Sequence, residues 1–492
     1  MFAAYFRSTW IARLLVLLVW IATPIAVQAQ FTYTTDNGEI TITGYTGPGG
    51  AVDIPSTING LPVTRLGVGA FKGNANLIKV TIPDSVTIIG FESFGGCTSL
   101  TSVTIGNRVT TFWDLAFAGC SSLTDVNIPQ SVSYIGQTAF GGCANLNAIT
   151  VEASNAFFSS VDGVLFDLTQ TTLIQFPSGR AGSYTIPKGV TRIGNGAFDS
   201  RNNLGSVTIP ENATSIGDGA FYGCTGLLSI TIPDSVTNVG YAAFSYCSAL
   251  TSVIIGKGLT GIGVDTFSNC SSLASVIIPS SVTTIEGNSF RNCTGLTNAT
   301  IANGVTNIGG GSFIGCTSLT RITVPDSVTR IQEGTFGGCT SLTSVTIPNS
   351  VTSIGHFAFR GCISLTGVYL HGNAPDADDG RSVFDGSDIV TVYHLPGTTG
   401  WGTTFGDRPT ALWSLPYPAI LKSSPGFGVG ENGFGFLISW ATNAAVVVEA
   451  SPNLATPVWA PVGTNILSAG TSQFTDPEWT HQPTRLYRLI SR

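Results

Sequence analysis

Charge is scarce in this chain: only 10% of its 492 residues are Asp, Glu, Lys or Arg, and the formal net charge is −7. Nucleic acid is recognised by a basic stripe, which so few cations in an acidic chain do not supply. Histidine is rarer still, with His356, His371, His394 and His481 scattered along the second half. There is no CxxC pair and no histidine in phase with the cysteines, so no zinc site is expected. His371, Asp376 and Ser382 could be grouped as a hydrolase triad, but their glycine-rich stretch has no nucleophile elbow. Asp376, Asp378 and Asp379 lack the spacing of an EF-hand and read as a solvated acidic turn. Leu395 to Thr399 (LPGTT) lacks the glycine, apolar tail and basic end of a sortase signal. No catalytic, cofactor-binding or metal-binding residue is assigned, and an enzyme is not expected.

Apolar runs are short everywhere except at the start. Arg7 and Arg13, the stretch Ile11 to Ile25 and Val27-Gln28-Ala29 form the three parts of a secretory signal over residues 1–29. Its apolar part is shorter than the roughly 20 residues a membrane span needs, so cleavage before Gln30 is expected. Removing its two arginines takes the charge from −7 to −9. No later segment is long and apolar enough to span a bilayer, so no stable span is expected after cleavage.

What the chain has in abundance is repetition. Phenylalanine falls at positions 71, 94, 117 and 140, then at 198, 221, 244, 267, 290, 313, 336 and 359, a period of 23 residues. Leucine follows six positions later, from Leu77 to Leu365. Cysteine follows three positions after ten of the twelve phenylalanines, from Cys97 to Cys362, with Asn74 and Arg201 in the other two coils. A fixed period of this length means a stacked solenoid whose coils cannot bury their apolar faces alone. A polar residue at Phe244 is therefore expected to unfold several coils.

Within one unit, Leu342, Val345 and Ile347 alternate with Thr346 and stop at Pro348, which reads as a strand with one apolar face. Val351 and Ile354 start a second extended piece closed by Gly355. Ala358, Phe359 and Cys362 suit a single tight helical turn with ring and thiol pointing inward. Stacked coils give a parallel sheet with neighbours about 4.8 Å apart. The thiols would form a column with parallel side-chain directions, which does not suit the crossed geometry of a disulfide. They are expected to be free, buried and apolar in behaviour.

The pattern breaks in four places. Residues 30–63 alternate like strands, with turns at Asn37-Gly38 and Gly47 to Gly50, where a solenoid needs an N-terminal cap. The solenoid proper is expected over 64–413. Phe140 and Phe198 are 58 residues apart, and an Asp162-Gly163 turn inside 151–186 implies an enlarged, hairpin-bearing coil. Residues 371–413 form a degenerate last coil around Phe384. Residues 414–428 are rich in Pro, Ser and Gly and read as a linker. Five candidate strands follow in 429–492, giving a small β-sandwich-like module.

The unit IPxSVTxIGxxAFxGCxSLTxVT resembles the leucine-rich repeats of the BspA type over about residues 64–370. Departures are Gly106, Gly256 and Ala302 for the proline, and Trp113, Glu286 and Gln332 for the glycine. The tail from VVVEASPNL onward resembles a C-terminal module of secreted proteins from Verrucomicrobia and related bacteria. The first resemblance implies a right-handed leucine-rich-repeat coil on secreted or surface-attached bacterial proteins, with adhesion roles. On the sheet, the outward positions include Thr81, Thr104, Asn127, Thr231, Thr300, Thr323, Thr346 and Tyr369. Columns of short hydroxyl side chains suit carbohydrate or extended polypeptide, although β-branched residues also favour strands for their own sake. The expectation is an exported, non-catalytic binder of a surface protein or polysaccharide. A structural envelope or matrix component without a discrete ligand is the alternative.

Overall fold

The computed structural model describes residues 30–377, 383–413, 418–421, 427–430, 433–440, 444–453, 457–467, 471–481 and 485–491. The signal-like residues 1–29 lie outside them, as do Asp378, Asp379 and Ser382. Two compact units divide the chain, 1–250 and 251–492. Each carries β-solenoid coils, and they are described in turn.

The first unit opens with a hairpin, Phe31–Asp36 against Glu39–Tyr45, turned by Asn37 and Gly38 in the left-handed region at φ 49° and 79°. The second hairpin strand then pairs in parallel with Leu61–Leu66, which leads into the two-residue strands Ile88–Ile89, Thr111–Phe112 and Tyr134–Ile135. On another side of the coils, Gly50–Asp53, Leu77–Thr81 and Ser102–Thr104 form a parallel sheet, and Asp125–Ile128 pairs with Ala148–Val151. The rings of Phe31 and Tyr45 lie against Phe71 at 6.2 and 5.2 Å, covering the first ring of the core column.

Residues 151–186 contain the expected hairpin. Phe158–Val161 pairs with Val164–Asp167 across Asp162-Gly163, at φ 48° and 73°. Thr172–Gln175 adds a third strand and hands the chain back to the parallel arrangement at Arg192–Ile193. Phe176 belongs to this enlarged coil and stacks on Phe198 at 5.1 Å. It takes the core position of a coil that the 23-residue count skips, because 36 residues separate it from Phe140.

The second unit repeats the design with fewer interruptions. Ser252–Ile255, Ser275–Ile278, Asn298–Ile301, Arg321–Thr323, Ser344–Ile347, Gly367–Leu370, Thr391–His394 and Arg408–Leu412 pair in parallel order. The two-residue strands from Gly261–Ile262 to Asp376–Ala377 line a second side. The C-terminal strands form two small antiparallel sheets: Ala419–Leu421, Gly428–Gly430 and Thr471–Asp476 with Gly433–Ser439, and Ala460–Ile466 and Leu486–Ser491 with Ala445–Ser451. Phe436, Ile438, Val446, Val448, Leu467 and Phe474 are their shared core. The linker expected at 414–428 is thus partly strand, because Ile420 and its neighbours pair with Leu437 to Ser439 and Ile420 packs on that core.

The third side of each coil corrects the helical turn expected at Ala-Phe-x-x-Cys. Among the described residues the one helix is the 3-10 turn Pro477–His481. Around Phe94, the amides of Ser93, Gly95 and Cys97 bond three residues back, to Gly90, Glu92 and Phe94. The intervening amides of Phe94 and Gly96 bond instead to Ala116 and Ala118 of the next coil. A helix needs every amide for its own turn, and here half are committed to the neighbour. The alternation is set by left-handed residues two before and two after the phenylalanine, such as Glu92 at φ 49° and Gly96 at φ 72°.

Inside, the phenylalanines form ring columns. Phe71, Phe94, Phe117 and Phe140 stack at 4.9, 5.1 and 5.6 Å in the first unit. Phe267, Phe290, Phe313, Phe336, Phe359 and Phe384 stack at 5.3–5.8 Å in the second. The ten cysteines are free and buried. Each thiol with a resolved bond donates to the carbonyl of the phenylalanine one coil back, as Cys97 does to Phe71 and Cys316 to Phe290, at 3.1 and 3.2 Å. Burial pushes the thiols of Cys293 and Cys362 up to about 12. Arg201 stands at the cysteine position of its coil, 1% exposed, and its Nε donates to the Phe176 carbonyl at 2.8 Å while Nη1 bonds the Asp199 carbonyl. Desolvation lowers its pKa to about 10.

Candidate ligand-binding surfaces

The strand side of the second unit presents an outward column of Ile254, Ile277, Thr300, Thr323, Thr346, Tyr369 and Tyr393, beside a second one that includes Ser252, Ser275, Asn298, Arg321 and Ser344. The alternation of each strand puts its two neighbours inward, as Val345 and Ile347 flank Thr346. The hydroxyl column expected from sequence is therefore present in the middle of this side. Its two ends differ. Ile254 and Ile277 expose 62% and 70% of their surface, which threonine's place in the repeat did not foretell.

At the other end the column becomes aromatic. Tyr369 and Tyr393 stack at 4.9 Å with an interplanar angle of 10°, and Trp413 lies 5.0 Å from Tyr369. His371 meets Trp413 edge-on at 5.1 Å. Gly367 makes room for this: a Cβ there would come within 2.8 Å of the Tyr369 ring. Desolvation lowers the pKa of His371, with Asp326 acting the other way. His394 stacks flat on Trp401 at 4.7 Å, and burial lowers its pKa too.

Two other threonine columns are structural. Thr110, Thr283, Thr306 and Thr352 each donate their hydroxyl to a backbone carbonyl of the preceding coil, at 3.1–3.3 Å. Thr297, Thr343 and Thr366 do the same from a neighbouring position. These hydroxyls extend the main-chain ladder between coils, and their abundance reflects stacking.

In the first unit the outward positions Thr104, Asn127 and Thr231 are exposed and Thr81 is half-buried. Asn127 accepts a hydrogen bond from Thr150 at 3.0 Å. Among the described residues no group of three or more His, Cys, Asp or Glu is placed to hold a metal ion. Asp376 is at the end of the row of two-residue strands, while its expected partners Asp378, Asp379 and Ser382 fall outside the described residues. The side chain of His481 also falls outside them. Ile254, Ile277, Tyr393 and Trp413 are the surface residues that the hydroxyl pattern missed. The first two were within reach of counting 23 from Thr231, whereas Tyr393 is one residue out of phase with Tyr369.

A short strand, a two-residue strand and a run of turns around a phenylalanine–leucine core define a leucine-rich-repeat solenoid. The chain belongs to the family described as the BspA type leucine rich repeat region, whose model matches residues 64–181, 175–297 and 285–398, more than half of it. A leucine-rich repeat protein from Eubacterium ventriosum is 28% identical with a TM-score of 0.50, covering 62% of this chain and 91% of that one. A leucine rich cell surface protein from Faecalibacterium prausnitzii is 29% identical (TM-score 0.46), with 70% and 94% covered. A leucine-rich repeat protein from Bacteroides ovatus is 28% identical (TM-score 0.45), with 69% and 93% covered. No curated protein matches the sequence.

Proposed function

We propose that this chain is an exported, non-catalytic recognition protein that binds a protein or glycan at or outside the bacterial surface. Membership of the BspA type family supports a binding role. The signal-like residues 1–29 support export with cleavage before Gln30, and no helix among the described residues is long and apolar enough to cross a membrane. The observation that carries the reading is the strand side of the second unit. Exposed isoleucines at one end and a Tyr369–Tyr393–Trp413 cluster at the other flank a hydroxyl column. Exposed apolar side chains in phase on one surface mark an interaction site, and tyrosine and tryptophan are the residues that most often anchor one. At about 4.8 Å per coil, six steps from Ile254 to Tyr393 span about 29 Å, enough for an extended partner.

We also take residues 30–63 as the N-terminal cap, 64–413 as the solenoid and 429–492 as an accessory β module. The test is binding of the full exported chain to arrayed matrix proteins, bacterial polysaccharides and whole cells. Saturable binding that weakens at least tenfold in an Ile277→Ser, Tyr369→Ser double variant is the expected result. Absence of saturable binding to all three classes would point to a structural envelope component.

A further inference from the structure

The turn side of the second unit holds an open groove of about 550 Å³, within the range of small-ligand sites. It arises where side chains are locally missing. On each coil the residues two before, one after and two after the core phenylalanine belong to this side. In the coils of Phe313 and Phe336 they are Gly311, Ile314 and Gly315, then Gly334, Gly337 and Gly338, all of which line the groove. Asn288 borders it from the preceding coil, Phe357 and Arg360 from the following one, and Glu333 lines it as well.

Backbone conformation explains four of these glycines. Gly311, Gly315, Gly334 and Gly338 have φ between 62° and 75°. It does not explain Gly337, which is not among the left-handed residues. A Cβ there would meet Gly334 O and Ile314 Cγ1 at 3.4 Å and Phe357 O at 3.5 Å, ordinary contact distances. The same position holds Arg291, Ile314 and Arg360 in neighbouring coils. What glycine leaves at 337 is space in the floor.

Phe357 shows the opposite choice. It has φ 56° at a position that is left-handed in the other coils too, where Glu92, Leu115, Thr138, Ala242, Asp265 and Asn288 stand as well as glycines. Such a residue persists only when its surroundings hold it. The Arg360 guanidinium packs over its ring at 5.1 Å and is paired through Nε with Asp385 at 3.0 Å.

Six main-chain amides of the floor are already committed. Gly311, Gly315, Gly334 and Gly338 donate to Glu333, Gly337, His356 and Arg360, while Ile314 and Gly337 close turns onto Gly311 and Gly334. These six positions therefore offer a ligand no free amide donor, and contact from below is mainly apolar. The lining also includes Asn288, Glu333 and Arg360, whose side chains carry an amide, a carboxylate and a guanidinium. That combination fits a ring with a flat C–H face, an edge that both donates and accepts hydrogen bonds, and no net charge.

We propose that this groove is a binding subsite for a neutral pyranose residue of a glycan, laid on the glycine floor and against Phe357. It is a different surface from the strand side, so either can fail without the other. The experiment is saturation-transfer NMR of the full chain with maltotriose, cellotriose and chitotriose, followed by calorimetric titration of the responders. At least one trisaccharide is expected to bind. Gly337→Leu, which copies the bulk of Ile314, should weaken it at least tenfold with an unchanged melting temperature. Phe357→Gly should weaken binding while raising the melting temperature, a divergence that a purely structural role for the ring would not give. No response to any of the three sugars, or unaltered binding in Gly337→Leu, would overturn the proposal.

Discussion

Thr138 is a β-branched residue held at φ 47°, in a position where Gly196, Gly219, Gly311 and Gly334 stand in other coils. Such a conformation costs an L-residue about 1–2 kcal/mol, part of which glycine returns through its more flexible unfolded chain. Thr138→Gly should therefore stabilise the fold by about 0.5–1 kcal/mol, read as a higher urea midpoint at constant slope. Gly119→Ala, at φ 73°, should destabilise it by about 1–2 kcal/mol. The cysteines make a second prediction at this scale. With ten buried thiols, and several pushed well above their usual pKa by burial, the native protein should show almost no reaction with a disulfide reagent. All ten should react after denaturation. A substantial native reaction would mean that the column opens readily.

The coil is the natural unit at the next scale, and its energetics rest on the ring column. Phe313 stacks on Phe290 at 5.3 Å and Phe336 at 5.8 Å and is fully buried. Phe313→Ala should cost about 3–5 kcal/mol, measurable by chemical denaturation, because both stacking partners lose contacts. Much of this element was legible from the period. Rings, leucines and thiols in phase gave the buried positions, and the strand and its proline followed from local chemistry. The turns were read as helical because inward spacing at i, i+1 and i+4 suits one helical turn, and spacing does not reveal which amides bond to a neighbouring coil. The glycine before Cys97 was visible as a repeat anchor. Its cause, a left-handed residue two after each ring, needed the backbone. Phe176 escaped because the hairpin at 158–167 displaced it from the count.

Across the whole chain, the candidate surfaces were less legible than the fold. Threonine was rightly placed on the outward side at Thr300, Thr323 and Thr346, yet the same residue type also ties coils together through Thr283 and Thr343. Composition cannot separate the two uses, since both favour a short β-branched hydroxyl. The groove near Gly337 depends on side chains that are absent from two successive coils, which a repeat consensus averages away. The pH response is also a property of the molecule. His371 and His394 have pKa values lowered by burial, so their neutral forms are favoured in the fold. Their stabilising share is complete above the unfolded value of about 6.5 and is lost as pH falls from there toward the folded values. The melting temperature should drop between pH 7 and pH 5, and a His371→Asn, His394→Asn double variant should lessen that drop. An identical slope in the variant would remove the histidines from the account.

For a chain exported as proposed above, the thiol column carries a consequence for its lifetime. Outside the reducing cytosol, a free thiol is safe only while it is shielded. Equivalent placement means that a transient opening between two coils uncovers neighbouring sulfurs together. An oxidant arriving then can join or oxidise them, and the coils cannot close again over the product. Without a reductant to undo it, and in any case once a thiol reaches the sulfonic level, such an event is lasting, so durability becomes a matter of how rarely the stack opens rather than of how favourable the folded state is. The repeated cysteine turns the molecule into a slow clock, wound by folding and stopped by the first lasting breach.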